Sequence, residues 1–440
     1  MAVRSIKLEN LQQEFQAFEQ TLNGEKNSTL HELRKKSLST LHELGLPNSK
    51  HEDYKYTNIA RQFSKVFSYA TLPYSNTLDK EIEELLATNR EANSLVFVNG
   101  NLSEKHSTLI EEDKFKLLDL SYAYKHFPEA IEEYFNDLGP EKLDGFEELN
   151  TSFAKNGVFI KLENNVVIEK PVVLYFIKDT SAGEVLTMPR NLFLVGENSQ
   201  VKITEMFHTF GDHKSFTNTV TEIRLEKHAV VDYYKIEPDR TAAYHIGHTN
   251  VTQSDDSVFN SVTVTLGGSM IRNNLSIAMD GEHCESNMYG LSILRDDQHV
   301  DNNTTVDHLK PNSYSNELYK NILDDASTGV FNGKIYVRQY AQKTNAFQSN
   351  RNILLSDDAS INTKPQLEIW ADDVKCSHGA TTGQIDQDQL FYLRSRGLSE
   401  ESARAMLLYA FAHDVLDNIR IDAIRDSLDG VISTRLNKDF

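Results

Sequence analysis

The stretch NILDDASTGVFNGK (321–334) and the stretch NILLSDDASINTKP (352–365) nearly repeat each other 31 residues apart. Each has an apolar segment, a turn of acidic and small residues, and a second segment in which apolar and polar residues alternate. Alternation with a period of two is typical of a β-strand with one buried face, and Asp is a common turn residue. The two stretches therefore predict two copies of one strand–turn–strand unit.

Similar units recur upstream, from about residue 157. Most intervals between them are 26–31 residues, and the 46-residue interval after Cys284 has room for one further unit. A fixed period of short strands indicates stacked coils, each of which buries its apolar side on the next. We predict a right-handed parallel β-helix over about 157–378, with a β-sandwich as the competing arrangement. The strands are expected to restart at Val201, Val230, Val258, Cys284, Val330 and Ile361.

Helical periodicity flanks this core on both sides. Apolar residues from Leu8 to Leu22 step by three and four, and a second helix is predicted to start at Ser28, to contain the leucines from Leu30 to Leu44, and to stop at Gly45 and Pro47. The sequence therefore predicts a mainly β protein with helical regions at both ends. The predicted division is a mostly helical N-terminal region (1–156), the β-helix (157–380) and a helical C-terminal region (381–440).

The C-terminal region is predicted to contain two helices. Asp386 can cap the first, Gly397 ends it, and Ser399 can cap the second. The second helix is apolar over more than one stripe, which indicates burial on two sides. Two interpretations remain open: a helix that caps the end of the solenoid, and a helix that binds a partner protein. The apolar residues concerned are Ala403, Met406, Leu407, Leu408, Tyr409, Ala410, Phe411, Val415 and Leu416.

The charge balance argues against nucleic acid and membrane partners. The chain has 45 Lys and Arg residues against 65 Asp and Glu residues, a formal net charge of −20, so both surfaces would repel it at long range. No run approaches the roughly 18 apolar residues of a membrane span, and the N-terminus shows no apolar signal core. We expect a cytoplasmic protein in which Cys284 and Cys376 are thiols.

Five Asp–Asp pairs suggest a comparison with glycosidases, which place two carboxylates across the scissile bond. Most of these pairs fall where the repeat predicts a turn, and a catalytic pair would not recur with the period of the fold. A carbohydrate-active β-helix enzyme is therefore the weaker hypothesis. The chain has no GxxxxGK[ST] phosphate loop, so we expect it to have no ATPase activity of its own. The pairs are 255/256, 296/297, 324/325, 357/358 and 372/373.

Cys376 and His378 stand two residues apart in a predicted strand, so their side chains should share one face. A thiolate and an imidazole side by side suit iron or zinc, but two ligands do not complete a site. The others would come from elsewhere in the chain or from another subunit. Two alternatives remain open: a buried structural cysteine, and a nucleophile, for which no orienting third group is apparent. His283 and Cys284 are adjacent, so in a strand they would face opposite sides and could not share an ion.

Three segments carry a resemblance to a known family: LPNSKHEDYKYTNI (46–59), GVFNGKIYVRQYAQKTNAFQSNRNILLS (329–356) and INTKPQLEIWADDVKCSHGATTGQIDQDQLFYLRSRGLSEESARAMLLYAF (361–411). They are similar to the SufB/SufD family of iron–sulfur cluster assembly proteins. The form KCSHGATTG and the presence of only two cysteines favour the SufD branch over SufB, which is the alternative. The family usually has Trp where this chain has Tyr54, which exchanges one aromatic residue for another.

The resemblance implies an assembly subunit without turnover of its own. It implies a pairing with SufB through the two solenoids, and docking of the ATPase SufC on the C-terminal helices. His378 would act in cluster assembly where SufB meets this chain, whereas Cys376 would ligate, relay sulfur or simply pack. No tightly bound cofactor is expected in the isolated chain; iron or an iron–sulfur cluster would be held transiently in the complex, and a homodimer is the alternative for the chain alone. The residues expected to dock SufC are Leu390, Phe391, Leu393, Met406, Leu407 and Phe411.

Overall fold

The computed structural model describes residues 8–22, 28–66, 78–136, 144–239 and 242–439. Two long sheets enclose a common interior, and helices lie on their outer faces. From Arg190 onwards, successive strands alternate between the two sheets, so each coil there contributes one strand to either side. The predicted parallel β-helix is confirmed.

The N-terminal region combines helices with short strands. Ser28 caps the second helix by accepting a hydrogen bond from the His31 backbone N–H at 3.2 Å, and Gly45 ends it with φ of 68°. The first helix buries Leu11 and Phe15, while the side chain of Leu8 lies outside the described residues. The elements are α1 Leu8–Gln20, α2 Thr29–Leu44, α3 Ile59–Val66, α4 Asp79–Ala87, β1 Asn93–Val98, β2 Asn101–Leu102, β3 Ile110–Glu111, β4 Phe115–Asp119, α5 Leu120–His126, α6 Pro128–Tyr134 and α7 Gly145–Ser152.

The solenoid strands and the C-terminal helices follow the N-terminal region in the chain. The solenoid strands are β5 Val158–Leu162, β6 Val172–Asp179, β7 Val185–Thr187, β8 Arg190–Val195, β9 Gln200–Phe210, β10 Ser215–Leu225, β11 Val230–Glu237, β12 Ala243–Gln253, β13 Val258–Thr265, β14 Met270–Met279, β15 Glu285–Leu294, β16 His299–His308, β17 Tyr314–Leu323, β18 Thr328–Val337, β19 Asn345–Leu354, β20 Ser360–Ile369 and β21 Lys375–Gly383. The final helices are α8 Gln387–Ser395, α9 Glu400–Leu416 and α10 Asp422–Asp439.

Sheet A has the strand order β2-β1-β6-β9-β11-β13-β15-β17-β19-β21, and sheet B has the order β20-β18-β16-β14-β12-β10-β8-β5-β4-β3, with β7 paired to β10. From coil to coil the pairing is parallel; one coil takes 26 residues from Tyr244 to Met270 and 32 residues from Thr328 to Ser360. Antiparallel pairing among the described strands is confined to β1–β2, β3–β4 and β4–β5. A sandwich of antiparallel sheets is therefore excluded.

Residues with left-handed backbone conformation mark the turns that lead into sheet A. In each of them the backbone N–H donates to a carbonyl of the next coil; His228 N, for example, lies 2.9 Å from Asp255 O. Asn and Asp tolerate this conformation better than most residues, which explains much of the turn composition. The residues of this column are Asn165, Asn198, His228, Asp256, His283, Asn312 and Lys343.

A second column of turns leads into sheet B and includes Asp296 and Asp325. The prediction of one series of restarts is therefore wrong, because Val330 and Ile361 lie in strands of sheet B whereas the earlier restarts lead into sheet A. The further unit expected after Cys284 does exist, and its turn is formed by Asn312. All five Asp–Asp pairs lie between strands, so their interpretation as turn residues is confirmed.

The N-terminal region extends both sheets at their first edge. β1 pairs parallel with β6, and β4 pairs antiparallel with β5. The outermost strands there, β2 and β3, have only two residues each. Short edge strands offer little backbone for pairing with another chain. Strands from both sides of residue 156 thus belong to the same two sheets. The predicted domain boundary at residue 156 stays a prediction.

The C-terminal helices α9 and α10 cover the outer face of sheet A. Leu408, Val415 and Leu416 of α9 pack in one apolar cluster with Tyr234 and Ile322 of the sheet. The interpretation that this helix caps the end of the solenoid is therefore wrong, since it lies along a face. None of the helices in the described part of the chain combines the length and apolar character needed to cross a membrane.

Candidate functional site

The last strand of each sheet is an edge strand. β20 ends sheet B and β21 ends sheet A, and within the described residues no strand pairs with the outer side of either. Both are about ten residues long and mostly exposed or half-buried. Such an edge presents unpaired backbone N–H and C=O groups, which form a template for pairing with another chain. We call β20 and β21 together the open end of the solenoid.

Cys376 and His378 lie on β21 and face the interior of the solenoid at the open end. Their register partners on β19 are Ala346 and Gln348, both of which are buried. Residues paired in register on parallel strands point to the same side of the sheet. The structure thus places the thiol and the imidazole on one face of one strand, as the sequence predicts, with Ser377 on the opposite face.

The two side chains differ in their surroundings. Cys376 is half-buried and packs against the apolar interior, and burial raises the pKa of its thiol. A raised pKa leaves less thiolate, which is the form that binds metals and attacks electrophiles. His378 is exposed at the mouth of the solenoid. The imidazole is therefore the more available of the two candidate ligands.

A complete metal site is not formed by this stretch alone. Among the residues that the structure describes, no group of three or more His, Cys, Asp and Glu side chains is placed to hold a metal ion. Cys376 and His378 supply two ligand atoms, whereas a tetrahedral site takes four. An ion held at the open end would need ligands from beyond the described residues.

Cys284 has a structural environment. It is buried just before β15, with its Sγ 3.2 Å from Ser254 O and 3.3 Å from Gly281 O, and burial raises the pKa of its thiol. His283 precedes it in the turn, with φ of 57°. The two residues were expected in a strand; they lie in a turn instead, because the coil needs a left-handed residue there.

Two interior residues below His378 were missed by sequence reasoning. Glu317 and Gln348 occupy the same register position as His378 in the two preceding coils of sheet A. Gln348 Nε2 donates to Glu317 Oε2 at 2.7 Å, and both side chains are buried. The signal that could have found them is the period itself, since positions 317, 348 and 378 follow at intervals of 31 and 30 residues.

The six residues predicted to dock a partner lie at different depths on α8 and α9. Phe391 and Met406 are exposed to 74% and 51%, and Tyr392, which was not predicted, is exposed to 55%. Leu390 is only 5% exposed, so it supports the helices from within and offers no contact surface. The remaining three, Leu393, Leu407 and Phe411, are partly buried.

Lys320 fixes α9 against sheet A. Its Nζ donates to Phe411 O at 2.9 Å and to Asp414 Oδ2 at 2.5 Å, and it lies 4.2 Å from the centre of the Phe411 ring. The side chain of Lys320 is almost fully buried, which lowers its pKa despite the nearby carboxylate. These contacts set which face of α9 points away from the solenoid.

Two family models together span most of the chain. The model described as "SUF system FeS cluster assembly, SufBD core domain" matches residues 176–411, which include the open end. The chain belongs to the SufBD family. The model described as "SufBD protein N-terminal region" matches residues 6–174.

Curated relatives are similar to this chain over nearly their whole length. An iron–sulfur cluster assembly SufBD family protein of Synechocystis is 31% identical over 94% of this chain and 93% of its own. The iron–sulfur cluster assembly protein SufD of Escherichia coli is 30% identical over 91% of each. Protein ABCI7, chloroplastic, of Arabidopsis thaliana is 29% identical over 93% of this chain and 87% of its own. The chain is thus a homologue of SufD.

The segment 46–59 of this SufBD family chain docks on the outer face of sheet B through Tyr54. Its hydroxyl donates to Asp144 Oδ2 at 2.6 Å, and its ring lies against the guanidinium of Arg272. The Thr57 hydroxyl donates to Asp301 Oδ2 at 2.5 Å. Tyr54 therefore supplies both an aromatic face for a cation and a hydrogen-bond donor.

The same segment reaches the open end. Asp53 Oδ1 accepts from Lys334 Nζ at 2.7 Å on β18, and Glu52 forms an ion pair with Lys364 of β20. Both contacts lie on the outer face of the last coils of sheet B, opposite to the interior side chains. The N-terminal region of this chain thus holds the edge strand β20 from outside.

Proposed function

We propose that this chain is the SufD-type subunit of an iron–sulfur cluster assembly complex, in which it pairs with SufB through the open end and docks the ATPase SufC on α8 and α9. The observation that carries the proposal is the open end itself, where each sheet ends in a long edge strand and His378 is exposed on one of the two. The first edge of each sheet ends instead in a strand of two residues.

Pairing with a second solenoid would give hydrogen-bond partners to the unpaired backbone groups of the open end. Edge strands of this length are rarely left uncovered, because their backbone groups recruit other chains. Large apolar side chains are also exposed on these last coils, among them Tyr340 at 82%, Trp370 at 47%, Ile369 at 39% and Phe347 at 36%. A SufB chain of similar fold would continue the two sheets and cover these side chains.

His378 would then lie at the junction of two solenoids. A neutral imidazole offers a lone pair to iron, whereas the thiol of Cys376 must first lose its proton. We assign His378 the role of a ligand to iron or to a nascent cluster, which is cargo in this complex, and rank Cys376 below it. The remaining ligands would come from SufB. ATP hydrolysis would belong to SufC, consistent with the missing phosphate loop in this chain.

Docking of SufC on α8 and α9 is supported by Phe391, Tyr392 and Met406, which expose their side chains on adjacent helices. Exposed aromatic and Met side chains of this kind are enriched at protein interfaces. Partly buried residues behind them, such as Leu407, would hold the surface in shape.

The pairing with SufB is tested by placing a charge on the open end. Ala380 is exposed on β21 beside His378, so Ala380→Glu should leave the isolated chain folded and put an uncompensated carboxylate into the junction. Leu109→Glu is the matched control, since Leu109 is 47% exposed next to β3 at the first edge of sheet B. On co-expression, only Ala380→Glu should lose SufB, by about tenfold or more. Wild-type recovery of SufB with Ala380→Glu would refute the pairing, and equal loss with both variants would refute its assignment to the open end.

A homodimer through the same edges is the competing arrangement for the chain alone. It would also be broken by Ala380→Glu, so the sedimentation of both variants without SufB is measured alongside. If Ala380→Glu forms the homodimer to the same extent as the wild type, the homodimer contact lies outside the open end.

A further inference from the structure

We propose that Gln348 positions His378: its amide oxygen accepts a hydrogen bond from one ring N–H of His378 and thereby directs the other ring nitrogen towards incoming iron. The inference rests on the proposed role of His378 as a ligand, and it adds two interior residues, Gln348 and Glu317, that hold the imidazole in one tautomer.

The register places the two side chains next to each other. Gln348 and His378 are Cα partners on the parallel strands β19 and β21, and both face the interior. Neighbouring strands lie about 4.8 Å apart, so side chains in register stack along the axis of the solenoid. In the described structure His378 is exposed and Gln348 Oε1 has no hydrogen-bond partner, so the bond that we propose forms when the imidazole ring turns inward over the amide.

Only one of the two polar atoms of the Gln348 amide has a hydrogen-bond partner in the described structure. Its Nε2 donates to Glu317 Oε2 at 2.7 Å, while its Oε1 is buried without a hydrogen-bond partner in the described structure. A buried carbonyl that lacks a donor is unfavourable, so a donor nearby is strongly preferred. The ring of His378, one coil above in the same register position, is such a donor.

Glu317 sets the direction of the amide. Burial raises the pKa of the Glu317 carboxyl to about 7. The carboxyl keeps an accepting oxygen whether it is neutral or ionised, and Glu317 Oε2 accepts from the NH₂ group of Gln348 at 2.7 Å, so the amide oxygen faces away from Glu317. The bond from Gln348 to Glu317 thus presents the acceptor on the remaining side of the amide.

Gly333 makes the space that the amide occupies. A Cβ at this position of β18 would lie 2.1 Å from Gln348 Nε2 and 2.9 Å from Phe331 Cζ, too close for either. Gly333 is not among the residues with positive φ, so the backbone does not require a glycine there. The absence of a side chain at Gly333 therefore leaves the room in which the Gln348 amide lies.

A fixed tautomer matters for a histidine that binds metal. Such residues usually donate their second ring N–H to a carboxylate or carbonyl, which fixes the ring and raises the basicity of the coordinating nitrogen. Gln348 would be a positioning residue of this kind, because it contacts the ring and not the iron. Without it, His378 would sample both tautomers and several ring orientations.

The tautomer of His378 can be measured in the isolated full-length chain by long-range ¹H–¹⁵N spectra of ¹⁵N-histidine-labelled protein, with His378→Gln identifying the signals. We expect one tautomer in the wild type and an exchanging mixture in Gln348→Met, which keeps the length of the side chain and removes the amide. Gly333→Ala should produce the same change by displacing the amide. Asn352→Leu is the matched control, since Asn352 is another buried amide of β19 but lies below Thr382.

Iron content separates this inference from the proposed function. In complexes with SufB and SufC, Gln348→Met should retain iron at least about tenfold less well than wild type, and Asn352→Leu should match wild type. If His378→Gln keeps normal iron, the ligand role of His378 fails, whatever the tautomer. If His378→Gln loses iron while Gln348→Met changes neither tautomer nor iron, the ligand role stands and the positioning role of Gln348 is overturned. A tautomer change in Asn352→Leu equal to that in Gln348→Met would also overturn it, since the effect would then be a general loosening of β21.

Discussion

The guanidinium of Arg272 lies 3.7 Å from the centre of the Tyr54 ring, and its Nη1 donates to Asp301 Oδ2 at 2.5 Å and to Asp53 O at 2.7 Å. Arg272 and Asp301 are both almost fully buried. One cation therefore connects the segment 46–59 of the N-terminal region to two neighbouring coils of the β-helix, and the cost of burying it is offset only while its partners are present.

Arg272→Leu should lower the free energy of unfolding by about 3–5 kcal/mol, because Asp301 is then left buried without its cation. Arg272→Leu combined with Asp301→Leu should recover more than half of that loss. Urea unfolding of the full-length chain measures both. A loss below about 1 kcal/mol in the single variant would show that the pair does not hold the N-terminal region to the solenoid.

Glu317→Gln should stabilise the protein at high pH and not at low pH. The pKa of Glu317 is about 7 in the fold against 4.5 for an ordinary Glu, so the fold favours the neutral carboxyl. Below pH 4.5 the carboxyl is neutral in both states and no penalty exists. As the pH rises through 4.5 towards 7, the unfolded chain ionises first, and the penalty grows to about 3 kcal/mol above pH 7.

Gln carries no charge at any pH and can still accept the hydrogen bond from Gln348, so Glu317→Gln removes this penalty alone. Unfolding with urea at pH 4.5 and pH 8.5 checks the prediction, with wild type and variant compared at each pH so that the other titrating groups cancel. A stability difference that is the same at both values would mean that Glu317 is not held neutral by burial.

Met406→Asp and Phe391→Asp should each reduce the recovery of SufC on co-expression by about tenfold or more, because exposed apolar residues at the centre of an interface carry much of its binding energy. Val431→Asp on α10 is the control, since Val431 is also exposed, to 48%, but lies on a different helix. All three variants should keep the wild-type melting temperature. Full recovery of SufC with both Phe391→Asp and Met406→Asp would show that SufC docks on another surface of the chain.

The repeat of short strands and acidic turns predicts the architecture well, because each coil of a solenoid repeats the same pattern of strand and turn residues in the sequence. Sequence could not assign each turn to a sheet, since acidic turns of the same composition lead into both sheets; Asp256 precedes a strand of sheet A and Asp325 a strand of sheet B. The contribution of β1 and β4 to the sheets was not predicted either. Such strands are defined by long-range pairing, which no local pattern reveals.

The placement of Cys376 and His378 on one face follows from the two-residue period of a strand, and the structure has them there. The support below His378 could not be foreseen in the same way, because Glu317 and Gln348 look like ordinary polar residues until the register is known. The C-terminal helices show a similar limit. Their apolar character predicts burial on two sides, but only the fold tells that Leu390 faces inward while Phe391 is exposed.

Iron and sulfide per assembled complex, measured anaerobically after co-expression with SufB and SufC, test the central claim most directly. His378→Ala removes the lone pair that would bind iron, and His378→Gln keeps a polar side chain of comparable reach that is a much poorer ligand. Both variants should assemble the complex and retain its ATPase activity, and both should lose cluster content. Normal iron and sulfide per assembled complex in both variants would contradict the account, since His378 would then be no ligand at the junction.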